Sequence, residues 1–273
     1  MRFEDFAREH GLILHYAVQD GRYHRVPTLD HPHKRNGAYA IIGLAGAVRN
    51  FATMDAFAVW KPGREAPADA AAIKARLLEA QEDERKRHAA AAIEAQALLD
   101  ACSRLRHTYL ARKGFPTMLG FVHPDGDLIV PMRGLANNAL NSVQRIAADG
   151  KKLFLTGGKA RGSVLRLGGV RGPWWLVEGY ATGLSVQAAA ADLRQDCRIV
   201  CCFSAGNIIY VASQLSGPLF CFADHDESGT GQRAAEATGR PYCMWSELGD
   251  ANDLHMAVGL RKVCGLMLDA QNA

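Results

Sequence analysis

No two cysteines in this chain are spaced Cys-x-x-Cys, and none precedes Cys102. That excludes a thiolate zinc module from residues 1–101, and a site built from His24, His31 and His33 alone would lack the usual ligands, so no zinc is expected. The cysteines, Cys102, Cys197, Cys201, Cys202, Cys221, Cys243 and Cys264, are odd in number and lie mostly in apolar runs such as RIVCCFS. They read as reduced core residues of a cytoplasmic protein rather than as a disulfide frame. No run approaches the ~18 apolar residues of a membrane span, so no membrane partner is expected. The start, MRFEDFAREHGL, is charged where a secretory signal would be apolar. Gly-Lys-Ser/Thr of a phosphate loop is also missing, from EGYATGLSVQ and elsewhere. An ATP-driven helicase is therefore not expected here, and any unwinding falls to a separate replicative helicase.

What the chain has is an uneven charge. Residues 1–172 carry 26 Lys/Arg and 17 Asp/Glu, a balance of +9; residues 173–273 carry 6 and 11, a balance of −5. A basic front half suits a polyanion, and an acidic back half suits a cation site.

Four regions follow along the 273 residues. Residues 1–62 form a small β-rich module after one short helix, with GRYHRVPT and KRNGAYAIIGLAGAVRNFA supplying strands broken by Gly and Asn-Gly. KPGREAP, 61–67, is a linker, and 63–111 is a helical spacer rich in Ala, Glu, Lys and Arg. Residues 112–172 read as a basic α+β subdomain of short strands, with ADGKK as a hairpin turn. From 173 to 273 the rhythm is strand–helix alternation. WWLVEG, RIVCCFS, PLFCFAD and PYCMWSE are strands, and helices lie at 183–195, 206–215, 229–238 and near 252–268. Near-continuous apolar strands separated by helices predict a Rossmann-like parallel sheet covered on both faces, the α/β class.

In such a sheet, functional groups collect at the carboxyl ends of the strands. Glu178 ends the first strand, Asp224 and Asp226 end the third, and Asp250 and Asp253 follow the fourth. Any one of these could be a solvated loop acid. Together, emerging at one rim, they would repel one another unless their pKa values rise or a hard cation sits among them, and Mg2+ or Mn2+ prefers such oxygen ligands. His225, between the two aspartates, is expected to point away from them.

VEGYATGLS (177–185) resembles the Glu-Gly motif of the Toprim domain. FADHDESGTGQRAA (222–235) resembles its Asp-x-Asp motif, and GDANDLH (249–255) resembles the third acidic motif of primase-type members. YLARKGFP, LIVPMR and NSVQRIAADGKKLFLTGGKARGSV look like the catalytic core of plasmid- and phage-encoded DNA primases, and HRVPTLDHPHKRNGAY looks like their front module. The resemblance implies a Toprim C-terminal domain and an enzyme that makes short RNA primers on single-stranded DNA from nucleoside triphosphates. It implies Glu178, Asp224 and Asp226 as catalytic residues, Glu178 as general acid/base or metal-proximal carboxylate. It also implies Mg2+ or Mn2+ on Asp224 and Asp226, with Asp250 and Asp253 completing the cluster. Phosphodiester formation needs charge neutralised on a triphosphate and an activated 3′-hydroxyl, which metals caged by carboxylates supply.

In the primases it resembles, the subdomain before the acidic unit offers a basic surface to template and nucleotide. Here Arg133, Arg145, Lys151, Lys152, Lys159, Arg161 and Arg166 lie in that stretch. Phosphate contacts of this kind give affinity without sequence preference. In the front module, Arg22, Arg25, Lys34, Arg35 and Arg49 are interleaved with histidines, Tyr23 and Tyr39, a mixture suited to single strands by charge and stacking. Two other readings stand: a Toprim nuclease with the same metal cage, and a non-catalytic single-strand-binding replication accessory protein. The length argues against a topoisomerase.

Overall fold

The computed structural model describes residues 1–61 and 67–273. Most of the linker expected at 61–67 lies outside the described residues. The chain divides into two compact units, Met1–Lys86 and Arg87–Ala273.

In the first unit, helix α1 (Phe3–Glu9) precedes strands β1 (His24–Val26), β2 (Gly37–Ile42), β3 (Ala45–Asn50) and β4 (Ala58–Trp60). They form one antiparallel sheet in sequence order. Phe3 and Ala7 of α1 pack on Tyr39, Ile41 and Val48, so a single apolar helix face closes the small core. Helix α2 (Pro67–Asp100) follows.

The second unit holds a ten-stranded sheet. Its first elements are β5 (Ser103–Arg106), α3 (Thr108–Arg112), β6 (Leu119–Val122), β7 (Leu128–Gly134), β8 (Leu140–Ile146), β9 (Lys152–Phe154) and β10 (Ser163–Gly168). Next come β11 (Trp174–Val177), α4 (Tyr180–Asp192), β12 (Arg198–Cys201), α5 (Ala205–Gln214) and β13 (Leu219–Ala223). The chain ends with α6 (Thr230–Ala237), β14 (Tyr242–Met244), α7 (Ala251–Val258) and α8 (Leu260–Asn272). The main order is β14-β13-β11-β12-β10-β7-β6-β5, with β8 on β7 and β9 on β8.

The α/β class expected for the acidic half is what the structure shows. Strands β14, β13, β11 and β12 are parallel. Their apolar runs are buried on both faces, as parallel strands require. On one face Trp175, Ile199 and Phe222 pack under α4, α7 and α8; on the other Leu176, Val200 and Cys221 pack under α5 and α6. None of the seven cysteines forms a disulfide. No helix among the described residues is long and apolar enough to cross a membrane.

Three local readings change. The helical stretch ends at Asp100, and Ser103–Arg106 is an edge strand of the large sheet, paired with Leu119–Val122. The basic and acidic stretches share one continuous sheet, because β10 runs antiparallel to both β7 and β12. The last helix is two, broken at Gly259, whose φ of 103° is open to glycine but strained for other residues.

Candidate active site at the carboxyl ends of the parallel strands

The acidic residues leave the sheet where β11, β13 and β14 end, and short hydrogen bonds draw their loops together. The Phe203 N–H, after β12, donates to the Glu178 carbonyl, after β11, at 2.8 Å. His225 and Gly249 exchange two backbone bonds of 3.0 and 2.9 Å, joining the loop after β13 to the loop after β14. The Thr182 hydroxyl in α4 donates to Asp250 Oδ2 at 2.9 Å. His225 itself is turned to the Trp245 carbonyl, 3.0 Å from its Nδ1. Gly231 is required by close approach: a Cβ there would lie 2.2 Å from the Asp224 carbonyl oxygen.

The five acids differ sharply in what surrounds them. Burial, then the charges of Asp250 and Glu178, lift Asp224 to about 8, against the opposing pull of Lys152. Its Oδ1 is buried with no hydrogen-bond partner. Burial and the Asp226 charge also raise Glu178, again opposed by Lys152. No hydrogen bond to the Glu178 carboxyl is present among the described residues. Asp226 is the opposite case. Burial pushes it up, but the Ser228 hydroxyl and the N–H groups of Gly231 and Thr230 outweigh this, and it falls below its ordinary value. Those amide bonds, 3.2 and 3.3 Å, hold Asp226 on the first turn of α6. Asp250 caps α7, accepting from the N–H groups of Asn252 at 2.7 Å and Asp253 at 3.0 Å. Asp253 completes that capping box and pairs with Lys113 at 3.3 Å.

The fit of this constellation to a hard divalent cation turns on Asp224. A carboxylate oxygen buried without any donor is costly, about 1–3 kcal/mol or more for a charged group, unless a proton or a cation completes it. The donor set around it is all oxygen, which suits Mg2+ or Mn2+. Among the described residues no three His, Cys, Asp or Glu side chains form a closed metal-binding group. The reason is visible in the bonds: Asp226, Asp250 and Asp253 are turned to N–H, hydroxyl or ammonium donors, while Glu178 and Asp224 are not.

The cations separate into three kinds. Lys152, on β9, lies close enough to the acids that its charge lowers both Glu178 and Asp224. Its Nζ also stands 6.0 Å from the Tyr109 ring centroid. Lys151 and Lys159 are exposed. Lys159 and Arg161 line a cavity of about 300 Å³ with Asn137, Asn141 and Tyr210, and the Arg161 guanidinium lies 4.3 Å over the Tyr210 ring. Arg133 donates to the Asn138 carbonyl at 3.2 Å, and Arg166 bonds the Leu135 carbonyl. Arg145 is held by Asp127 at 2.8 Å and by Asp125; desolvation pushes the Asp125 carboxyl up, but hydrogen bonds from His123, the Asp127 N–H and Arg145 outweigh it and bring it down to about 2. In the first unit Lys34 and Arg35 are exposed, and exposed Arg25 bonds the Arg35 carbonyl at 2.6 Å. Arg49 is buried and paired with Glu84 at 2.6 Å. Its guanidinium is turned inward, where the expected role needed it exposed.

Two residues near the acids lie in YLARKGFP, a stretch noted for its resemblance, but neither is assigned a role from the sequence. Tyr109 is buried, its hydroxyl has no hydrogen-bond partner, and burial with the Asp250 charge raises its pKa. Lys113 neutralises Asp253 across 140 residues of sequence. The motif draws attention to the stretch, but the nearness of these two side chains to Asp250 and Asp253 exists only in the folded chain.

No family model matches the chain. Among solved structures it is similar to the primase fragment of the bacteriophage T7 primase-helicase protein, with a TM-score of 0.40 and 16% identity over 52% of this chain. The chain spans 62% of the length of that fragment. The RNA polymerase domain of Mycobacterium tuberculosis primase DnaG gives a TM-score of 0.38 and 17% identity, over 69% of this chain and 75% of that one. A DnaG catalytic core gives 0.38 and 14%, over 67% and 62%. At these values, function is argued from the site alone.

Proposed function

We propose that this chain is a primase-type nucleotidyltransferase of the Toprim class. In this reading it makes short RNA primers on single-stranded DNA from nucleoside triphosphates, in plasmid- or phage-type replication in the cytoplasm. A separate helicase would open the duplex. The observation that carries the reading is the buried, donorless Asp224 oxygen beside Glu178, with Lys152 at the edge of the same acids.

Mg2+ or Mn2+ held by Glu178 and Asp224, with Asp226 and Asp250 at hand, would supply charge neutralisation on a triphosphate and acidity at a 3′-hydroxyl. Asp253, tied to Lys113, would support that set through the α7 cap. Glu178 would also offer a carboxylate oxygen toward the proton of that hydroxyl. Lys152 would bind a phosphate oxygen next to the reacting centre. Lys151, Lys159 and Arg161 would track the strand and the nucleotide, and Arg25, Lys34 and Arg35 would add sequence-independent affinity. Arg133, Arg145 and Arg166, bonded within the sheet, would shape that surface.

The test is incubation with single-stranded DNA, labelled nucleoside triphosphates and Mg2+ or Mn2+. Template-dependent oligonucleotides are expected, and Asp224→Ala is expected to abolish them while DNA binding persists. Strand scission without nucleotides would move the assignment to a nuclease; DNA binding alone would move it to an accessory protein.

A further inference from the structure

Strand β9 is exposed along its whole length. Side chains alternate along a strand, so Lys152 and Phe154 share one face and Leu153 takes the other, with the pair about 7 Å apart along the chain. The shared face looks toward the acids. Lys152 acts electrostatically on Glu178 and Asp224. Phe154 meets the Phe203 ring edge-on, centroids 6.3 Å apart at 84°. Phe203 is the residue whose N–H holds the Glu178 carbonyl at 2.8 Å, and it does so with a φ of 65°, a strained conformation for an aromatic residue. Phe203 is almost wholly buried, so it is a fixed base. Phe154, by contrast, leaves 48% of its surface in water.

An exposed phenyl ring braced on a rigid neighbour, one residue removed from a lysine, matches two parts of one nucleotide: a base face and a phosphate.

We propose that Phe154 is a stacking platform for a nucleobase of single-stranded nucleic acid entering the acidic site, with Lys152 on the adjoining phosphate. This rests on the nucleotidyl-transfer reading for its substrate, but it concerns binding and is measured without chemistry. An acidic peptide would also meet Lys152, but only an aromatic residue at the right spacing would let it cover Phe154, whereas every nucleotide carries a flat base beside its phosphate. Stacking on one aromatic side chain is sequence-tolerant, which suits a strand of any composition.

The test uses the full chain and an oligodeoxynucleotide carrying 2-aminopurine, whose fluorescence is quenched by stacking. Phe154→Ala is expected to weaken binding about five-fold or more and to relieve the quenching, and Phe154→Trp to restore both. Leu153→Ala, on the opposite face of the same strand, is expected to bind like the wild type. Equal binding and quenching by Phe154→Ala and wild type would overturn the proposal, as would equal losses in Phe154→Ala and Leu153→Ala. If wild type binds through Phe154 but makes no primers, the platform stands and the transfer reading falls. If primers form while Phe154→Ala binds unchanged, the platform falls and the transfer reading stands.

Discussion

The Thr182 hydroxyl donates to Asp250 Oδ2 at 2.9 Å, across 68 residues of sequence. One bond thereby fixes the helix that follows Glu178 against the loop that follows β14. Asp250 is also the largest charge acting on Asp224. Thr182→Val, which keeps the shape and removes the donor, is expected to cost about 1 kcal/mol in urea unfolding. It is also expected to loosen Asp250 enough to weaken divalent-ion binding. Unchanged ion affinity in that variant would separate Thr182 from the site.

The raised carboxyls make stability depend on pH in the ion-free protein. A carboxyl that holds its proton more tightly folded than unfolded contributes fully below the ordinary carboxylate range. That contribution is lost as pH climbs toward the folded value, about 8 for Asp224. Melting temperature in EDTA is therefore expected to fall between pH 5 and 8. Asp224→Asn should flatten the fall and melt higher than wild type at pH 8. A flat wild-type profile would show that Asp224 is not buried among like charges.

Asp226 is expected to matter to the fold as well as to the site. Its hold on the first turn of α6 resembles a helix cap, and Asp226→Ala should cost about 1 kcal/mol. Asp226→Asn keeps an acceptor and should recover part of that stability. Loss of DNA-dependent activity in both variants, with stability recovered in one, would separate the two roles.

Much of the scaffold was legible because β11, β12 and β13 are continuous apolar runs between helices, and burial on both faces leaves few other places for them. The carboxyl-end acids followed from the same parallel order. What the sequence hid depends on tertiary contact. Ser103–Arg106 carries two arginines and is exposed throughout, and its single apolar residue, Leu105, gives no alternation that marks it as a strand. Arg49 resembles any other surface arginine of the front module until Glu84 of α2 takes its charge inward. Phe154, in KKLF, carries no mark of exposure in the sequence. Only the edge position of β9, paired on β8 alone, leaves its ring in water.

The Arg49–Glu84 pair yields a prediction of the opposite kind. Glu84→Ala leaves a buried guanidinium with poor compensation and should destabilise the first unit by about 2 kcal/mol, while leaving DNA affinity at moderate salt unchanged. Lys152→Ala should do the reverse. Melting should change little, DNA affinity should drop, and the slope of log affinity against log salt should shrink by about one contact. A salt slope identical to wild type would remove Lys152 from the nucleic-acid surface.

The central claim is that Glu178 and Asp224 are brought together to hold a doubly charged ion. Titration of Mn2+ followed by the electron paramagnetic resonance signal of the free ion tests it most directly, with no nucleotide or DNA present. Wild type is predicted to bind Mn2+ and release protons as it does so, and Asp224→Asn and Glu178→Gln are each predicted to bind at least ten-fold more weakly. Equal Mn2+ affinity in wild type and both variants, or no binding by wild type at millimolar ion, would contradict the account.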